Sequence, residues 1–170
     1  MDKTVTMISR SYSDEETVDI VTSAGKLSQV KNLVILPCYK SSCIKDLDSS
    51  SGIKFLREYS VYDYVKFQHM VNEAVRCSTD YVVIINDPVR FEDDALSIIL
   101  KNFESRRVNI LVGGSLTVDL SLFNSCFLDG HKFVILKKNI IEKLNGMYFS
   151  SLINLVFLCF LVLKESATVS

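Results

Sequence analysis

Residues Tyr81–Leu100 read YVVIINDPVRFEDDALSIIL, and different structural signals follow one another along them. Tyr81–Ile85 is an unbroken aromatic and β-branched run, as expected of a strand buried on both faces. Asn86-Asp87-Pro88 ends it with the residue types that turns use. Glu92-Asp93-Asp94 then sets carboxylates where a helix macrodipole favours them, ahead of an apolar stripe of Ala95, Ile98, Ile99 and Phe103. A buried strand, a turn and an amphipathic helix make up most of a βαβ unit. The stretch therefore points to an α/β domain with a mostly parallel sheet.

The rest of the chain fits that plan. Val5–Ser9 predicts a first strand, and Ser13-Asp14-Glu15-Glu16 has the form of a capping box opening a helix over Asp14–Leu27. Its apolar positions are Val18, Ile20, Val21, Ala24 and Leu27. Leu33–Leu36 is a second buried strand, Lys40–Gly52 a polar loop, and Ile53–Leu56 a weaker strand. Phe67, Met70, Val71, Ala74 and Val75 share a helical face. Val108–Val112 predicts a strand broken by Gly113-Gly114, and Lys132–Leu136 another, followed by a helix over Asn139–Leu144 and a stop at Gly146. The expected organisation is one domain over residues 1–146 and an apolar segment over 147–170.

Composition excludes several classes. The chain has 170 residues, enough for one domain with a real core, and its 48% hydrophobic content argues against disorder. A net charge of −1 without a Lys/Arg run gives no nucleic-acid footprint. The five cysteines are odd in number and lack C-x-x-C spacing, so reduced structural thiols are expected, not a metal site or a disulfide framework. The N-terminus has no apolar signal region, and the expected location is the cytoplasm. Met147–Leu163, MYFSSLINLVFLCFLVL, falls short of the usual membrane span of about 20 apolar residues. Burial in the core or a homo-oligomer interface is favoured over a short membrane anchor.

Ligands of open α/β sheets bind beyond the carboxyl ends of the strands. Three turns lie there: Arg10–Ser13, Pro37–Ser42 and Asn86–Arg90. Asn86 and Asp87 follow the most apolar strand, and a carboxylate at that point offers oxygen ligation to a divalent cation. An ordinary Asx-Pro turn is the competing reading. His69 reads as a surface or core histidine. His131 lies in a Gly-flanked turn near the expected cleft, either as a turn residue or in contact with an acceptor. Lys137-Lys138 is a solvated basic pair or a phosphate contact. Gly113-Gly114 lacks the spacing and the lysine of a phosphate loop.

Asp80–Leu100 resembles the segment of family 2 glycosyltransferases that runs from an apolar strand through an acidic metal-binding motif into a helix. Val5–Ser13, VTMISRSYS, is similar to that family's opening strand and turn. Asn72-Glu73-Ala74 is similar to its Asn-x-Ala helix, and Gly130–Gly146 to its later strand and helix. The likeness runs in order from Val5 to Gly146. It implies a Rossmann-like GT-A fold that binds a nucleotide-diphosphate sugar, with Ser11, Tyr12, Asn72, Asn86 and Asp87 around the nucleotide. A divalent ion, Mn²⁺ or Mg²⁺, would sit on Asp87. Pro88 stands where the family has a second acid, no Asp follows the second strand, and Tyr148–Leu163 contains no carboxylate to act as base. The catalytic residues are therefore unassigned. The sequence leaves three functions open: a glycosyltransferase with an unknown acceptor, a catalytically degenerate module of the same fold acting in binding or assembly, and, last in order, an unrelated Rossmann-like nucleotide binder.

Overall fold

The computed structural model describes residues 3–40, 52–56, 69–70, 72–74, 76–85, 91, 94–107, 109–117, 129–144 and 166–169. The elements are β1 (Val5–Ser11), α1 (Asp14–Gly25), β2 (Val30–Pro37), β3 (Ile53–Phe55), β4 (Tyr81–Ile85), α2 (Ala95–Glu104), β5 (Ile110–Thr117), β6 (Asp129–Lys137), α3 (Lys138–Leu144) and β7 (Ser166–Val169). Residues 69–70 and 72–74 are also helical.

The strands form one seven-stranded sheet in the order β3-β2-β1-β4-β6-β5-β7. Neighbours pair in parallel except at β6, which runs antiparallel to both β4 and β5. The mostly parallel sheet expected from the alternating elements is thus present. Successive strand residues point to opposite faces. Met7, Ile35, Val83 and Ile135 join α1 and α2 in one apolar cluster. The alternate residues Ile8, Val34, Ile84 and Val134 are buried as well, so both faces of the sheet are covered.

Several sequence expectations are corrected in detail. The core face of α1 is Thr17, Ile20 and Ala24, with Leu27 buried just beyond its end, while Val18 is 47% exposed. On α2 the buried stripe is Leu96, Leu100 and Phe103 with Ile99 packed against it, and Ile98 faces solvent. Both shifts follow from one rule: positions i, i+3, i+4 and i+7 share a helix face, and the whole set decides the phase. Gly113-Gly114 does not break β5, which runs through both to Thr117. The pair slips the ladder to β6 instead. His131 lies within β6 opposite Gly114, in a strand rather than a turn. Ser166–Val169, where no strand was expected, adds to the sheet edge in parallel with β5.

Among the described residues no helix is long and apolar enough to cross a membrane. Residues 147–165 lie outside the described residues, and with them the apolar run of the C-terminal segment. Cys38 and Cys77 are half-buried thiols that donate to the Leu36 and Glu73 carbonyls. Burial pushes the Cys77 thiol up, away from the reactive thiolate range.

Candidate functional site

The chain leaves β1 through α1 to β2 on one side, then returns to place β4 on the other side of β1. The direction of winding therefore reverses between β1 and β4, the kind of point at which open α/β sheets take ligands in a crevice beyond the carboxyl ends of the strands. The last register pair across it is Ser9 with Ile85. β1 continues further against β2, where Arg10 and Ser11 pair with Leu36 and Pro37.

The turn above β1 is short, and its geometry follows from its residues. Ser13 is the N-cap of α1, extended at φ −158° and ψ 161°, and its Oγ accepts from the Glu16 N–H at 3.1 Å. This is the Ser13 half of the capping box expected from the sequence, while Glu16 Oε1 is buried without a hydrogen-bond partner among the described residues. The Ser13 bond satisfies one of the free N–H groups at the helix start. Asp14, Glu15 and Glu16 fill the first turn with carboxylates. The N-terminus of α1 thus meets its own acids and is a poor place for a diphosphate.

Beneath the turn lies a chain of hydroxyls that ends on one carboxylate. Tyr39 donates its phenolic proton to Asp14 Oδ1 at 2.9 Å. The same phenol oxygen is 2.7 Å from Thr17 Oγ1, whose proton also has the Ser13 carbonyl as an acceptor at 3.0 Å. The Ser11 hydroxyl in turn contacts Thr17 Oγ1 and lies 3.2 Å from the Ser13 carbonyl. The Cys38 N–H donates to the Ser11 carbonyl at 2.8 Å. The ends of β1 and β2 and the start of α1 are thereby tied together, and the rim of the crevice is held in one shape.

Of the site residues expected from the sequence, Ser11 is fully buried within this network and Tyr12 stands at the rim, 46% exposed. Arg10 is buried below, with Nη1 3.5 Å from the Tyr12 hydroxyl. Asn72 is helical and half-buried. Asn86 and Asp87 lie outside the described residues. Among the described residues no group of three or more His, Cys, Asp or Glu side chains could hold a metal. Thr17, Tyr39 and Asp14 were not among the expected site residues. The available signal was Thr17 itself, a polar residue at a position of α1 that should be apolar.

No family model matches the chain, and no curated protein matches it by sequence. Solved structures match by fold. A CMP-2-keto-3-deoxy-manno-octonic acid synthetase complexed with CTP matches with a TM-score of 0.54 at 8% identity, over 98% of this chain and 90% of that one. A cytidylyltransferase from Leptospira borgpetersenii serovar Hardjo-bovis matches with a TM-score of 0.55 at 12% identity, over 99% of this chain and 76% of that one. Residues 1–349 of S. aureus TarS match with a TM-score of 0.59 at 11% identity, over 98% of this chain and 58% of that one. The complex of the same TarS fragment with UDP-GlcNAc matches over 70% of this chain and 36% of that one, with a TM-score of 0.51 at 10% identity. At these identities the likeness is one of fold, and the fold is that of a Rossmann-like GT-A domain.

Proposed function

We propose that this chain is a glycosyltransferase-like protein that takes a nucleotide-diphosphate sugar in the crevice between β1 and β4 and serves an acceptor outside it. The observation that carries the reading is the reversal of strand order between β1 and β4, with the exposed Tyr12 at its rim. The ligands named with the matched folds, CTP and UDP-GlcNAc, support a nucleotide partner.

In this reading the Tyr12 ring stacks on the base. Ser11 sets the turn that presents it, and Asn72 and Asn86 lie around the nucleotide. The acid-filled start of α1 directs the diphosphate toward the end of β4, which Asp87 follows in sequence. A divalent ion held by Asp87 would neutralise the leaving diphosphate.

A second reading, a non-catalytic module of the same fold, is favoured by Pro88 at the expected second acid and by the acid-free stretch Tyr148–Leu163. The test is thermal stability with UDP-, GDP- and dTDP-sugars and with CTP, each with and without Mn²⁺, for the native chain and for Asp87→Ala. A metal-dependent stabilisation by a nucleotide sugar that Asp87→Ala abolishes supports the transferase. Stabilisation by CTP alone moves the reading to nucleotidyl transfer, and no shift with any nucleotide leaves the module.

A further inference from the structure

Among the described residues a single buried side chain is charged, that of Arg10. It is 5% exposed, in a strand whose other members are apolar residues and small hydroxyls. Arginine stays charged when buried, and taking its guanidinium out of water is costly. A sequence breaks the apolar rule of a central strand most often where the strand serves a ligand.

The place of Arg10 in the sheet is the second observation. The described pairing of β1 with β4 ends at Ser9 and Ile85, whereas its pairing with β2 runs on through Arg10 to Ser11. Arg10 thus stands one step beyond the last β1–β4 pair, where the strand order reverses. Strand alternation sends Ser11 toward α1, where its hydroxyl contacts Thr17, and sends Arg10 to the opposite face. Its Nη1 lies 3.5 Å from the hydroxyl of the exposed Tyr12.

The charges around it give the third. Asp14, Glu15 and Glu16 open α1, and the neighbouring strand ends Ser11, Pro37 and Ile85 are uncharged. A nucleoside diphosphate entering here meets repulsion from the first turn of α1. Arg10 lies between the Tyr12 ring and the end of β4, so its charge falls on the path from the base to the diphosphate. The planar fork of a guanidinium matches two phosphate oxygens at once.

We propose that Arg10 binds the diphosphate of the nucleotide, so that part of the affinity for a nucleoside diphosphate needs no metal ion. This rests on the nucleotide reading of the crevice and names the group that holds the charged part of its ligand.

The test titrates UDP and uridine into the intact chain by calorimetry, in EDTA, at low and at high salt. UDP is expected to bind about tenfold or more tightly than uridine at low salt, and the gap to narrow as salt is raised. Arg10→Met, apolar and of similar length, should bring the two ligands to within about twofold of each other. Arg10→Lys keeps the charge and loses the fork, so it should retain part of the gap. Uridine binding that stays constant across the variants separates a role on phosphate from a role in the fold. Equal affinity of the native chain for UDP and uridine overturns the inference and leaves the nucleotide site standing. A gap undiminished in Arg10→Met, or in Arg10→Lys where Arg10→Met does not fold, also overturns it and passes the charge to a residue such as the exposed Lys40. Failure of both ligands to bind the native chain removes the proposed function and this inference together.

Discussion

The ring of Phe133 occupies the space that a side chain on Gly113 would need. The two residues are partners across the antiparallel pair β5 and β6, and the ladder slips immediately beyond them, between Gly113 and Gly114. Phe133 also packs against Phe91, edge to face at 5.2 Å between ring centres. Glycine at 113 therefore answers a close approach, and a methyl group there must displace packed aromatic atoms. Gly113→Ala is expected to cost about 1–3 kcal/mol, the usual range for overpacking. Gly113→Ala with Phe133→Leu should recover part of that loss. Urea unfolding of both variants measures it, and a single substitution that leaves the midpoint unchanged would contradict the packing seen here.

Asp80 links the start of β4 to the start of β1. The Thr4 N–H is the main cause that holds its carboxyl below the usual range, with the Thr4 hydroxyl and the charges of Lys3 and Lys138 adding to it. A depressed carboxylate stabilises the fold fully above its unfolded pKa, near 3.9, and loses that contribution as pH falls through the lower folded value. Asp80→Asn should cost about 1 kcal/mol at pH 7, a charged hydrogen bond discounted for solvent exposure. The gap between the native chain and the variant should hold from pH 7 to about pH 5 and close below pH 4. Denaturant unfolding across that range decides it, and a gap that widened in acid would refute the assignment.

These contacts explain what was legible in the sequence and what was not. Tyr81–Ile85 was readable to the residue, because a strand buried on both faces shows as an unbroken apolar run. The Ser13 cap was readable because capping is local chemistry. Gly113-Gly114 misled because a glycine serving a partner strand looks the same in sequence as one serving a turn. Ser166–Val169 gave no signal, since a short edge strand is selected by its neighbour β5 and not by its own residues. At the site, Ser11 and Tyr12 could be placed at the end of β1. The bond from Tyr39 to Asp14 joins positions far apart in the chain, and only the folded sheet brings them together.

That network makes its own prediction. The Tyr39 phenol bonds the Thr17 hydroxyl and donates to Asp14, so its removal takes one hydrogen bond from each neighbour. Tyr39→Phe should cost about 1 kcal/mol, the net value of a typical internal hydrogen bond. Asp14→Ala and Tyr39→Phe should not be additive, with a coupling of about 0.5 kcal/mol or more in a double-mutant cycle. Chemical denaturation of the four proteins gives the coupling directly. Simple additivity would mean that the two side chains do not act as a pair in solution.

The rim of the crevice offers the sharpest test of nucleotide binding. Among the described residues Tyr12 is one of three large hydrophobic side chains left exposed, at 46%, and it follows directly on the buried end of β1. An exposed ring contributes little to stability, so Tyr12→Ala should leave the melting temperature nearly unchanged. If the ring stacks on a base, its loss should weaken UDP binding by about 1–3 kcal/mol, which is at least fivefold in affinity. Tyr12→Phe keeps the stacking face and loses only the hydroxyl, which lies 3.5 Å from Arg10 Nη1, so it should bind UDP almost as the native chain does. Calorimetric titration of UDP into the three proteins separates the outcomes. Equal affinity in all three would place the base elsewhere along the strand ends. Weakening in Tyr12→Phe as large as in Tyr12→Ala would assign the contribution to the hydroxyl and its neighbour Arg10 and not to the ring.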